Sequence, residues 1–190
     1  MVGLRTEQAR HNLAKIPVMF TDEIDIHPEI RAWVDSYAGD PQTTPSIVLS
    51  GPTGVGKTHQ AYQAIREASR ARAANGKATF WLATSHPDLN ATQRVGADPD
   101  TSPTVALARY INVDLLLLDD VGAGKQTDWT ADTLYRLIDH RWSNLRPTIY
   151  ATNLTPKQIT ATLGDRVASR IADAIQVIIK GDDRRWGRAR

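Results

Sequence analysis

The 190-residue chain has no cysteine. That excludes disulfides and thiolate metal sites, and it suits a reducing interior, so a cytoplasmic location is expected. No apolar run approaches the ~18 residues that span a bilayer. The opening "MVGLRTEQARHNLAKIPVMF" also lacks the long apolar stretch of a secretory signal, so no membrane partner is expected. Internal repeats and low-complexity tracts are absent, which leaves one ordinary domain for a chain of this length.

A strong charge of either sign is missing too, the formal net charge being +2. The excess is local. The last eleven residues, "KGDDRRWGRAR", set Lys180, Arg184, Arg185, Arg188 and Arg190 against Asp182 and Asp183, which is +3, so the remainder is −1. A basic tail bearing Trp186 is able to touch nucleic acid. A solvated, frayed terminus reads the same way. With 41% hydrophobic residues, a normal buried core is available.

What the chain does have is an alternation of strand and helix patterns. Residues 1–46 read as a helical lead-in to the same domain, with a short helix over Ala9–Lys15 and a second over Pro28–Tyr37. The turn-rich "AGDPQTTPS" leads into a strand over Ile47–Ser50. A helix over Lys57–Ala74 stops at Asn75-Gly76, and a second strand runs over Ala78–Thr84. Ser85–Asn112 reads as a long polar link marked by Pro87, Gly96, Pro99 and Pro103, with a short helix near Val105–Tyr110. "VDLLLLDD" is a third strand, apolar on both faces as a central parallel strand must be. Trp129, Leu134, Leu137, Ile138 and Trp142 set the apolar period of a helix over Asp128–Trp142. A fourth strand covers Thr148–Thr152. Thr155-Pro156-x-Gln158 is a capped helix start, a helix near Asp165–Ala172 follows, and Ile175–Ile179 is the fifth strand. The order implies an α/β fold with a mainly parallel sheet. Residues 47–180 form its core and 181–190 a short tail.

Four segments carry chemistry. Gly51-Pro52-Thr53-Gly54-Val55-Gly56-Lys57-Thr58 follows a strand and opens a helix, the context of a phosphate-binding P-loop. Backbone N–H groups and the helix N-terminus favour phosphate, Lys57 reaches the β- and γ-phosphates, and the Thr58 hydroxyl suits Mg²⁺. His59, next in line, joins the nucleotide-lining set but reads as packed or solvated rather than catalytic. "LLLLDD" delivers two carboxylates at a strand end: Asp119 is placed to hold Mg²⁺, Asp120 to orient or activate water or to cap the turn. Asn153, after the fourth strand, is able to position water against a γ-phosphate or to cap the turn into Thr155. In "LGDRVASRI", Arg166 and Arg170 lie one helical turn apart, able to reach a neighbouring subunit's phosphate or to form surface ion pairs.

In this order the four segments resemble an AAA+ ATPase, and more narrowly the DnaC/IstB-type branch of replicative helicase loaders and transposition-helper ATPases. The resemblance runs from "IPVMF" to the tail and includes "LYRLIDHRWSNLRPTIYATNL" and the ending "GDDRR". It implies a five-stranded sheet in the order 5-1-4-3-2 sandwiched by helices, and ATP or ADP with Mg²⁺ as cofactors. Asn153 takes the sensor position, Arg170 acts as an arginine finger in trans through self-assembly, and Arg185 lies near the nucleotide. The implied partners are a replicative helicase or a transposase, and single-stranded DNA; a phage source suits the pattern. About twenty residues precede the match, too few for the usual docking domain, and eleven follow the fifth strand, too few for a full helical lid. Weak turnover without a partner or DNA is therefore expected.

Lys125 reads as a flexible-loop lysine. Arg94 and Arg109 are outweighed by Asp88, Asp98 and Asp100, which argues against a strong phosphate grip in the 85–112 link. Trp33, Trp81 and Trp142 read as core or half-buried. Two other functions fit a P-loop: a kinase for a small metabolite, and a binding module whose nucleotide only sets shape.

Overall fold

A computed structural model describes residues 13–93, 102–124 and 127–183. Its centre is a five-stranded sheet in the order β2-β3-β4-β1-β5. The strands are β1 (Ile47–Ser50), β2 (Trp81–Ser85), β3 (Leu115–Asp119), β4 (Thr148–Thr152) and β5 (Ile175–Ile178). Every neighbouring pair is parallel, and the order is the one expected from the resemblance. β2 begins at Trp81, later than the sequence pattern suggested, because Phe80 already turns its N–H to the Asp114 carboxylate.

The helices are α1 (Pro28–Gly39), α2 (Lys57–Ala74), α3 (His86–Thr92), α4 (Pro103–Asn112), α5 (Asp128–Ser143) and α6 (Pro156–Ala172), preceded by a 3-10 turn over Val18–Phe20. Two cores divide between the sheet's faces. Ile47, Leu49, Leu115, Leu117 and Ile149 pack with Trp33 and Tyr37 of α1 and Ile65 of α2. Val48, Leu116, Leu118 and Tyr150 pack with residues of α3 to α6, among them Leu89, Leu107, Leu137 and Val167. Successive strand side chains point to opposite faces, so the four leucines of β3 supply both cores in turn. The lead-in closes on the first core: Ile16 is buried there and the Phe20 ring stacks on Tyr62 at 5.0 Å.

Two expectations need correction. The 85–112 link contains two helices: the one expected near Val105–Tyr110, longer at both ends, and a further one over His86–Thr92. Ser85 and Ser102 cap them through their side chains, and Pro87 and Pro103 sit in their first turns, where the missing N–H costs nothing. Those prolines start helices rather than mark a loop. Second, Trp129 and Trp142 are 48% and 42% exposed. The buried stripe of α5 runs through Thr130, Leu134, Leu137 and Arg141, so both indoles lie on its flanks. After β4 the two expected helix pieces are present, running on from one another and divided by the non-helical Gly164. Thr155 and Gln158 make the expected reciprocal cap, and the element bends at Gly164. The Ala9–Lys15 helix falls largely outside the described residues.

Gly164 has φ 81° and ψ 163°, a region open almost only to glycine, and nothing lies within 4 Å of a Cβ built there. Gly164→Ala is therefore expected to destabilise the fold by ~1–3 kcal/mol through backbone strain alone. Urea unfolding measures this, and a loss below ~0.5 kcal/mol would show that the bend tolerates a side chain.

Arg141 is the largest polar side chain in the interior, 1% exposed. Its Nε donates to Thr148 Oγ1 at 2.8 Å and its Nη2 to Pro147 O at 2.6 Å. Nη1 donates to the Tyr110, Ile111 and Val113 carbonyls at 2.9, 3.2 and 2.8 Å. The guanidinium thus closes the C-terminal end of α4 and joins it to the start of β4. Burial lowers its pKa to about 10, so it stays charged at neutral pH.

Candidate functional site

Strand register assembles the site. Ser50 pairs with Thr152, and Leu118 with Tyr150. The loop after β1, Asn153 after β4 and the carboxylates ending β3 therefore meet at one edge, where parallel sheets present ligands.

Gly54 lies at φ 84°, and a Cβ there would collide with the Asp183 carboxylate. The tail after β5 thus lies against the glycine loop, and a side chain at this position would displace it. α2 starts at Lys57, so its first N–H groups face the loop. Buried Lys57 donates from Nζ to Gly51 O at 2.9 Å, Pro52 O at 2.8 Å and Asn153 Oδ1 at 2.5 Å. One ammonium therefore ties the loop to the end of β4.

Thr58 Oγ1 donates to Asp119 Oδ2 at 2.8 Å, and Asp120 N donates to Asp119 Oδ1 at 2.9 Å. Burial pushes the Asp119 carboxyl up, and the hydrogen bonds from Thr58 and Asp120 oppose that shift. Asp120 sits at φ 50°, and its exposed carboxylate accepts no hydrogen bond among the described residues. It does not cap the turn. A left-handed residue here turns the chain sharply at the strand end.

A hydroxyl and a carboxylate are hard oxygen donors that fit Mg²⁺, which characteristically completes its shell with substrate phosphates and water. No cluster of three His, Cys, Asp or Glu suited to a metal exists among the described residues. The protein's own donors thus suit a metal that arrives with a nucleotide.

Two supporting residues were not read from the sequence. Thr152 Oγ1 donates to Val121 O at 2.7 Å and accepts from Leu154 N at 3.1 Å, joining the turn after Asp120 to the turn that carries Asn153. The only sequence signal was a threonine at a buried strand end. Fully buried His86 accepts from Gly122 N through Nδ1 at 3.2 Å, and burial lowers its pKa, which keeps the ring neutral as that bond requires. The local sequence carried no signal for this contact.

His59 faces the lead-in: Nε2 meets Asp22 O at 2.9 Å and the ring lies edge-on to Phe20 at 5.8 Å. The lead-in thus engages its ring. Arg185, Trp186, Lys125 and Arg94 lie outside the described residues. Arg170 and Arg166 are on the second arm of α6. That arm runs toward Ile175, which pairs with Ile47 at the beginning of β1, so Arg170 lies at the sheet edge opposite the P-loop.

A family model described as IstB-like ATP binding protein matches residues 36–182. The replicative helicase loader DnaC of Escherichia coli (strain K12) is 28% identical over 157 residues, which is 82% of this chain and 61% of that protein. An ATP-binding protein in an insertion sequence of Mycobacterium tuberculosis is 32% identical over 126 residues, 65% of this chain and 44% of that protein. The chain therefore spans 44% to 61% of the length of these relatives. Among solved structures, the replication initiator DnaA bound to AMPPCP and single-stranded DNA matches with a TM-score of 0.67 at 21% identity, covering 91% of this chain and 50% of that one. The likeness shows the fold, a parallel sheet sandwiched by helices with a P-loop after its first strand. No helix among the described residues is long and apolar enough to cross a membrane.

Proposed function

Because the chain belongs to the IstB-like ATP-binding protein family, we propose that it hydrolyses ATP and acts in DNA replication as a loader of a replicative helicase. The observation that carries this reading is the paired contact at one sheet edge: Lys57 with Asn153, and Thr58 with Asp119. A cation for the terminal phosphates, an amide beside it and a hydroxyl–carboxylate pair for Mg²⁺ are the parts that attack by water on a γ-phosphate requires. Gly51 to Thr58 and the His59 N–H would cradle the phosphates. Thr58 and Asp119 would hold Mg²⁺, which supplies charge neutralisation across the β- and γ-oxygens. Asp120 would accept the proton of the attacking water, and Asn153 would hold that water in line. Arg170 would complete the site of an adjacent protomer. Single-stranded DNA and the helicase are the partners, supported by DnaC as a relative and by the DNA-bound DnaA fold.

Lys57→Ala is expected to weaken ATP binding ~10–10²-fold or more, the worth of hydrogen bonds from a buried charge. Asp120→Asn is expected to bind ATP normally and to lose ~10²–10⁴ in turnover. Equal loss of affinity in both variants would show that their roles are misassigned. Phosphate release with and without single-stranded DNA tests hydrolysis itself. The insertion-sequence relative favours one second reading, a transposition helper. Capture of a purified helicase rather than a purified transposase separates the two.

A further inference from the structure

We propose that Asp139 and Trp142 are positioning residues that hold the Arg170 guanidinium ready for the ATP of an adjacent protomer; this rests on the reading of Arg170 as a finger in trans. Arg170 Nε donates to Asp139 Oδ1 at 3.0 Å. Its Cζ lies 4.0 Å from the centroid of the Trp142 ring. Trp142 is itself oriented, its Nε1 donating to Asp173 Oδ2 at 2.9 Å. Asp139 and Trp142 lie one turn apart on α5, and Arg170 and Asp173 are likewise spaced at the end of α6. Two neighbouring helix ends thus build one bracket.

The bracket uses the guanidinium's Nε and one flat face. Both Nη groups, the fork that meets two phosphate oxygens at once, have no partner among the described residues. An unheld arginine would spread over many rotamers and lose that freedom when it met a phosphate. Anchoring Nε and the face removes part of that loss beforehand without occupying the donors. Arg166, one turn earlier, stacks on Tyr135 at 3.9 Å but forms no ion pair among the described residues, and it is exposed. Of the two arginines, only Arg170 is held by both a ring and a carboxylate.

The test uses the full chain at concentrations where it assembles. Asp139→Ala is expected to assemble, to bind ATP with unchanged KM, and to lose ~10–10²-fold in kcat, the scale on which misplaced groups cost rate. Asp139→Asn keeps an acceptor for Nε and should recover most of the activity. Mixing Asp139→Ala with Lys57→Ala, whose Arg170 is well placed, should restore turnover at the intact P-loops. Mixing it with Arg170→Ala should restore nothing. An Asp139→Ala protein as fast as wild type, or faster, overturns positioning; the faster result would mean that Asp139 restrains Arg170. A raised KM, or no rescue by Lys57→Ala, assigns Asp139 to structure and also overturns it. If Arg170→Ala is rescued by Lys57→Ala while Asp139→Ala is not, only the positioning proposal fails. If neither is rescued, the trans reading fails with it.

Discussion

Arg170→Ala is expected to bind ATP as tightly as the wild type and to hydrolyse it ~10³–10⁵ times more slowly, the range that an arginine finger supplies. The two effects are expected to separate because Arg170 lies away from its own P-loop. β5 begins beside the beginning of β1 and the P-loop follows the end of β1, so Arg170 and Lys57 occupy opposite edges of the sheet. In the proposed role, an arginine so placed would reach only another protomer's phosphates, and would do so as charge develops in the transition state. Lys57→Ala is expected to be inactive for a different reason, since its own loop would fail while its Arg170 stays intact. Mixed, the two inactive proteins should recover part of the wild-type rate. A wild type that is strictly monomeric and hydrolyses ATP at full rate at every concentration would sink the assignment.

Arg141→Met is expected to cost ~3–5 kcal/mol of stability, at the upper end of single substitutions. Methionine matches the stem and removes the donors. Five acceptors then lose their partner: four backbone carbonyls and the Thr148 hydroxyl. Replacing a buried ion pair by apolar groups is often tolerated, because both charges leave together. Here the partners are neutral carbonyls that cannot leave, so their desolvation goes unmatched. Arg141→Lys should recover part of the loss, its three donors reaching some of the carbonyls but not spanning α4 and β4 as a planar fork does. Urea unfolding of both variants decides the matter. Arg141→Met within ~1 kcal/mol of wild type would mean that other groups satisfy the carbonyls.

The parts of the site legible in the sequence are those where local sequence and chemistry coincide. A glycine loop between strand and helix, and acids closing an apolar strand, need little more than their own segment to form. The sheet order was legible only through family resemblance. Contacts between distant segments were not legible: Asp139 meets Arg170 across 31 residues, and His86 meets Gly122 across 36. The helix near Val105–Tyr110 was legible in the 85–112 link, but the one over His86–Thr92 was not, because its Pro87 reads as a breaker although in a first turn proline starts a helix. Trp142, expected in the core or half-buried, is 42% exposed, and Arg141 was left unread, because an apolar pattern assigns indole to the core and charge to water. Five acceptors at one point reverse that preference, and no single window of sequence contains them all.

The opposite placement of P-loop and Arg170 also constrains how copies can join. A contact between one protomer's Arg170 edge and another's P-loop edge joins unlike surfaces, so each new protomer carries one used and one unused surface. Such head-to-tail association does not stop at a two-fold dimer. It continues until rotation closes a ring, or it remains an open helix with a free end. In an open helix the terminal P-loop meets no arginine and the terminal arginine meets no nucleotide. The number of complete sites is then one fewer than the number of protomers, and the specific rate rises with the length of the assembly.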